Sequence, residues 1–364
     1  MKYSKSNRNP FYNGLKERVD LYFKERGGNR FGNRKIVMKA IILLSVYFAA
    51  YAFIFIQNVG IGWMMLTYAI VGLSGVMIVF NLVHDASHNA LSRNMKVNKA
   101  ITYLGDFVGI NTHIWDIRHN IQHHAFTNVV GGDLVIENVP LVRLSRHQNY
   151  RPMHRYQTVY TPVLYMLYSF YWIFVIDFRL FFKKDICNLH NIKHSKKEWL
   201  ILIGGKLLYI LYMIVLPWVF TEMSLLTALG CFMFMHICAG LLLSSIAVLG
   251  HFVEGPEFPE AENGEINNSW SEHELAATID FAPKSRIVNF ITGGLNTHVA
   301  HHLFPNICHI HYYDLTVIIE NYCKENGYHY MQESFTGGLK SHFRYLKKLS
   351  LPEQKQAEVM QLAS

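Results

Sequence analysis

Charge is scarce in this sequence. Only 16% of its 364 residues are Asp, Glu, Lys or Arg, while 51% are hydrophobic. That balance excludes an average water-soluble domain. Between residues 40 and 84 no charged side chain occurs at all. One membrane crossing needs about 20 apolar residues, so this run holds two, divided by the polar turn QNVGIG at 57–62. It starts too late and runs too long for a cleaved leader, and it predicts a membrane hairpin. Cysteine is sparse as well: Cys187, Cys231, Cys238, Cys308 and Cys323 form no CxxC pair. This excludes a disulfide framework and a cysteine metal site, and it points to a reducing compartment with packing cysteines. The net charge of +8 comes without a basic recognition helix or motif, which excludes nucleic acid as the partner. No internal repeat or low-complexity tract is present.

Where the charges do fall, they set an orientation. Residues 1–35 form a basic segment that the positive-inside rule places in the cytosol. The first hairpin returns the chain there at His84. A second hairpin, roughly 199–221 and 224–250, delivers His251 to the same side. Between them lies the uncharged stretch 158–176, TVYTPVLYMLYSFYWIFVI, followed by a loop rich in lysine. Hydropathy alone counts five spans. Full crossing by 158–176 would put that basic loop, and everything after the second hairpin, on the wrong side. The expectation is therefore an all-α integral membrane protein with four transmembrane helices in two hairpins. The tyrosine-rich 158–176 is then interfacial or re-entrant, and a cytosolic helical cap completes the fold. The expected units are a basic segment 1–35, a membrane domain 36–345 and a polar tail 346–364 that frays as a helix. The acidic stretch 254–274 reads as an irregular loop.

Histidine is what the sequence has in excess. Eight of the 20 histidines fall in three patterns: HDASH (His84, His88), HNIQHH (His119, His123, His124) and HVAHH (His298, His301, His302). On a helix, positions i, i+3 and i+4 share a face, so each pattern presents imidazoles together. Neutral imidazole is the commonest metal ligand among side chains. Eight nitrogens exceed the needs of one four-coordinate ion, so two ions fit the count, although imidazole alone does not choose among Fe, Zn, Cu and Ni. His251 ends the second hairpin as His84 ends the first, which makes it a ninth candidate. His236, in mid-span, reads as a neutral packing residue. Asp85, Asn120 and Asn296 stand beside these histidines as candidates to orient an imidazole N–H.

These patterns resemble the three histidine boxes of the membrane fatty acid desaturase superfamily. The contexts WDIRHNIQHHAFTNV (115–129), LGHFVEGPEFP (249–259), HRYQTVYTP (154–162) and GGLNTHVAHHLFPNICHIHY (293–312) are similar to the acyl-lipid and linoleoyl-CoA desaturase-like branch. The resemblance covers roughly residues 36–345. It implies two iron ions at the cytosolic membrane face, held by His84, His88, His119, His123, His124, His298, His301 and His302, with His251 as the additional family histidine. It implies O2 and external electrons, and a cis double bond placed in the acyl chain of a lipid or acyl-CoA. An unactivated methylene has no acidic proton and no leaving group, so a metal–oxygen oxidant must supply the reactivity.

Two departures matter. Front-end relatives usually begin the third box with Gln, where this chain has His298, which leaves the double-bond position open. The fused cytochrome b5 motif HPGG does not occur, so the expected donor is a separate ferredoxin or cytochrome b5. A bacterial inner membrane is the preferred location, with the endoplasmic reticulum as the other. Hydroxylases and ketolases share the boxes and form the competing reading. A metal transporter fits less well, because its ligands belong near the midplane of the spans.

Overall fold

The computed structural model describes residues 1–3, 9–137 and 140–352. The regular structure of those residues is almost entirely helical. The strands among them are two-residue pairs, β1 (Lys2–Tyr3) with β2 (Glu265–Ile266) and β3 (Asp280–Phe281) with β4 (Gln332–Glu333). The expected tail lies outside the described residues from 353 onward.

The apolar runs become helices with polar starts. Asn33 caps α2 (Arg34–Phe53) by accepting the Lys35 N–H at 2.8 Å. Ser195 and Ser224 do the same for α7 (Lys196–Phe220) and α8 (Leu225–Leu249). With α3 (Ile61–Ser87) and α6 (Pro152–Phe181), five helices are long and apolar enough to cross a membrane. Between α3 and α6 come α4 (Met95–Phe107) and α5 (Thr112–Trp115), the latter continuing as a π-helical stretch, Asp116–His123.

α3 is the most enclosed of the five. It meets α8 at Gly72, where a β-carbon would stand 2.8 Å from the Met235 carbonyl, so only glycine permits this approach. Polar pairs tie the bundle elsewhere. Lys206 on α7 bonds Asp177 on α6 and the Gly109 carbonyl, both at 2.5 Å. Mid-span His236 bonds Ser169 at 2.9 Å and Tyr209 at 3.3 Å, the packing role its position suggests.

α6 returns toward the histidines. The loop after it touches the second box and α5: Gln122 donates to the Ile186 carbonyl at 3.3 Å, and His194 lies 2.9 Å from His113 of α5. After α8 come α9 (Trp270–Ala277), α10 (Arg286–Thr292), α11 (His298–Leu303), α12 (Tyr312–Asn326) and α13 (Phe335–Leu349). The basic N-terminal segment contributes α1 (Pro10–Glu25), whose Phe11, Leu15, Val19 and Phe23 pack on Val299 and Leu303 of α11 and Leu315 and Ile319 of α12. The stretch 254–274 is irregular at first, but its end is already α9. There the Ser269 side chain and Glu272 form a capping box.

Candidate metal centre

α3 loosens into a π-helical turn, Val79–Val83, one residue before His84. α5 does the same through the second box. A π turn holds more residues than an α turn, and such turns often mark functional sites. It changes which histidines align. The His124 N–H donates to the His119 carbonyl at 3.1 Å, an i to i+5 bond. His119 therefore neighbours His124, with their Nε2 atoms 3.3 Å apart. His119 and His123 stack with ring centroids 5.6 Å apart, as their spacing suggests, yet they join different groups of ligands.

All nine candidate histidines come together, in two groups. His84, His88, His119 and His301 offer ligand atoms within 4.8 Å of one another, and so do His123, His251, His298 and His302. His124 sits between, grouped with His301 and His302. The second and third boxes are each split between the groups. In α11, His298 and His302 turn one way and His301 turns the other.

The second group has a fixed proton arrangement. His251 Nδ1 faces the Ala277 carbonyl at 3.2 Å, and His298 Nδ1 faces the Leu295 carbonyl at 3.1 Å. A carbonyl only accepts, so both Nδ1 atoms carry the proton. Their Nε2 atoms are then bare lone pairs, yet they stand 2.7 Å apart. His123 Nε2 lies 3.1 Å from that of His251, and its Nδ1 meets Asp133 at 2.8 Å. Burial alone would raise Asp133, but His123 and the N–H groups of Asn128 and Val135 outweigh it and keep the carboxyl below its usual range. Lone pairs gathered without a donor repel one another unless a cation lies among them, so the donor set fits a metal.

The first group agrees. His84 and His119 Nε2 are 3.0 Å apart, and the buried His88 Nε2, His301 Nε2 and His84 Nδ1 have no partner among the described residues. Burial holds His88, His119, His124, His251, His301 and His302 well below the usual imidazole range, and His298 at about 3. They are neutral, the form that binds metals.

Asp85, Asn120 and Asn296 make their side-chain bonds, among the described residues, with groups other than the nine candidate histidines. Asp85 accepts from His309, through Nδ1 at 2.8 Å and N–H at 3.0 Å, and Lys39 stands 3.0 Å from the far nitrogen of that ring. Asn120 donates to Asp116 and to the Ser87 carbonyl, joining the first two boxes through backbone. Asn296 bonds Thr292, Asn289 and Ala282. Among the described residues, the carboxylates that do meet box histidines are Asp133 and Glu274, the latter 2.7 Å from His302 Nδ1. Burial pushes the Glu274 carboxyl well above its usual range. Neither residue carries a local signal, because each reaches its histidine only through the tertiary fold.

Fold and site together define a helical membrane protein with a buried polyhistidine centre. The fatty acid desaturase family matches residues 61–334, and the chain belongs to it. The sn-1 linoleoyl-lipid 6-desaturase of Synechocystis sp. is 34% identical over 92% of this chain and 94% of its own. The protein of that name from Arthrospira platensis is 31% identical over 96% of this chain and 95% of its own. An acyl-lipid (8-3)-desaturase of Physcomitrium patens is 30% identical over 97% of this chain and 74% of its own. The protein is a fatty acid desaturase, an oxidoreductase.

Proposed function

We propose that the chain desaturates a lipid-linked fatty acyl group at a centre of two irons. His84, His88, His119 and His301 would hold one ion, and His123, His251, His298 and His302 the other, with His124 between them. The observation that carries this reading is the pair of bare lone pairs on His251 and His298. With O2 and two electrons from a ferredoxin or cytochrome b5, bound iron supplies an oxidant able to take hydrogen from an unactivated methylene. The chain's own work is placement. The Ala277 and Leu295 carbonyls and Asp133 fix the tautomers of His251, His298 and His123, and Glu274 does the same for His302 when ionised. Enclosure in the cap keeps bulk water from the reacting groups. The names of the three relatives support a lipid-linked acyl substrate.

This reading has four spans, a non-crossing α6 and a site on the cytosolic face, with a bacterial inner membrane preferred over the endoplasmic reticulum. The gathering of all three boxes and the return of α6 to the second box favour this topology. Residues 36–345 are then one membrane domain, with α1 packed onto it.

The test is expression in a desaturase-deficient host, with mass spectrometry of the fatty acids. His124→Ala is the paired control. A product lacking two hydrogens, absent in the control, is expected. A product that gains one oxygen would make the protein a hydroxylase instead. Purified protein without iron would remove the metal assignment.

A further inference from the structure

An apolar groove of about 470 Å³ runs between α6, α8 and the segment before α6. Leu134, Leu164, Tyr168, Val175 and Val248 are among its walls. Its walls include Arg118 and Phe252, the sequence neighbours of His119 and His251, and the Phe252 ring lies 6.1 Å from that of His251. Leu141, Leu167 and Val175, on its rim, are 46%, 39% and 39% exposed, so the groove opens sideways toward the bilayer.

Pro140 and Val142 are shared with a second pocket of about 280 Å³ whose character is opposite. Arg143, Ser145, His147, Gln148, Asn149 and Arg151 line this one; no carboxylate is among its described lining residues, and Glu260 stands behind the wall, paired with His147 at 2.5 Å. Arg143 donates to the Arg146 and Gln148 carbonyls, which fixes a positive charge in the pocket wall. Arg146, Arg151 and Arg155 are exposed nearby, alongside exposed Tyr156, Val159 and Val163 at the start of α6. Basic and aromatic side chains mixed in this way sit at headgroup depth.

We infer that the two pockets form the binding site of one intact membrane phospholipid. Its acyl chain lies in the groove, and its phosphate headgroup sits in the basic pocket around Arg151. The inference rests on the proposed desaturase reading and adds the form in which the acyl group arrives. A glycolipid lacks the phosphate. An acyl-CoA has phosphates but comes from water rather than through the side of the bundle.

Native mass spectrometry of the detergent-purified full chain, supplied with dioleoyl phosphatidylglycerol, reads binding without requiring turnover. Wild type should retain one lipid. Arg151→Glu should lower retention about tenfold, as removal and reversal of a surface charge imply. Ala247→Trp, which fills the groove from an exposed wall position, should lower it too. Leu226→Trp, on a remote lipid-facing surface, should leave it unchanged. Equal retention by all four proteins overturns the site, even where desaturation is intact. Better retention of a diacyl galactolipid or of oleoyl-CoA overturns the headgroup assignment. Retention of phospholipid without any desaturated product would sink the desaturase reading and leave the site standing.

Discussion

Asp133 shows how much one carboxylate controls. It accepts from His123 Nδ1 and from the backbone N–H groups of Asn128 and Val135. Asp133→Asn keeps the volume but can present an amide donor to His123 Nδ1. The proton then moves to Nε2 and the ligand lone pair is lost. Iron content and turnover should fall about 10–100-fold, with the helical circular dichroism unchanged. Full iron loading at the wild-type rate would show that Asp133 does not set the tautomer. Asp106 makes a different point. Burial raises it to about 6, against the lowering effect of its bonds from Thr112. A folded pKa above the unfolded value of about 3.9 means that the acid form is favoured by folding. Its stabilisation is complete below about pH 4 and is lost as pH rises through 6. The thermal midpoint in detergent should therefore fall by a few degrees between pH 5 and 8, and Asp106→Asn should flatten that fall. Parallel curves for the two proteins would exclude Asp106 as the source.

Helices carry the site through their irregular turns, and this is where the sequence was least legible. HDASH, HNIQHH and HVAHH announced which residues meet, because eight clustered imidazoles have few other uses. They did not announce who pairs with whom. The π-helical turn at 116–123 rotates His124 onto His119 and sends His123 to the other group, and no composition signal marks such a turn. Apolar runs likewise gave the long helices. The link from Lys206 to Asp177 was hidden, since a lysine inside a span reads equally well as one that reaches for the interface. Both side chains are buried, at 6% and 0% exposure. Lys206→Met leaves Asp177 buried without its partner and should cost about 3–5 kcal/mol. The double variant Lys206→Met/Asp177→Leu should regain most of that in a detergent melting experiment. A single variant as stable as wild type would show that the pair holds nothing together.

At the scale of the whole molecule, the arrangement of the boxes constrains topology. The spans, taken one by one, allow five crossings. Only the meeting of His84, His119 and His301 requires that an even number of crossings separate the first box from the third. Exposed Lys184 follows α6, and exposed Glu222 lies between α7 and α8. In intact cells an impermeant thiol reagent should label Glu222→Cys. Lys184→Cys should react only after the membrane is opened. Labelling of Lys184→Cys from outside would mean that α6 crosses.

Each four-histidine group draws on both ends of the chain. His84 and His88 wait for His301, and His123 waits for His298 and His302. A ribosome adding 5–20 residues per second needs roughly 10–40 s to travel from the first box to the third. For that interval the first hairpin would sit in the bilayer with its imidazoles exposed to whatever metals the cell offers. On the proposed two-ion reading, complete metal loading is therefore the last act of biogenesis, because a chain that stalls before residue 298 is left with neither four-histidine group complete.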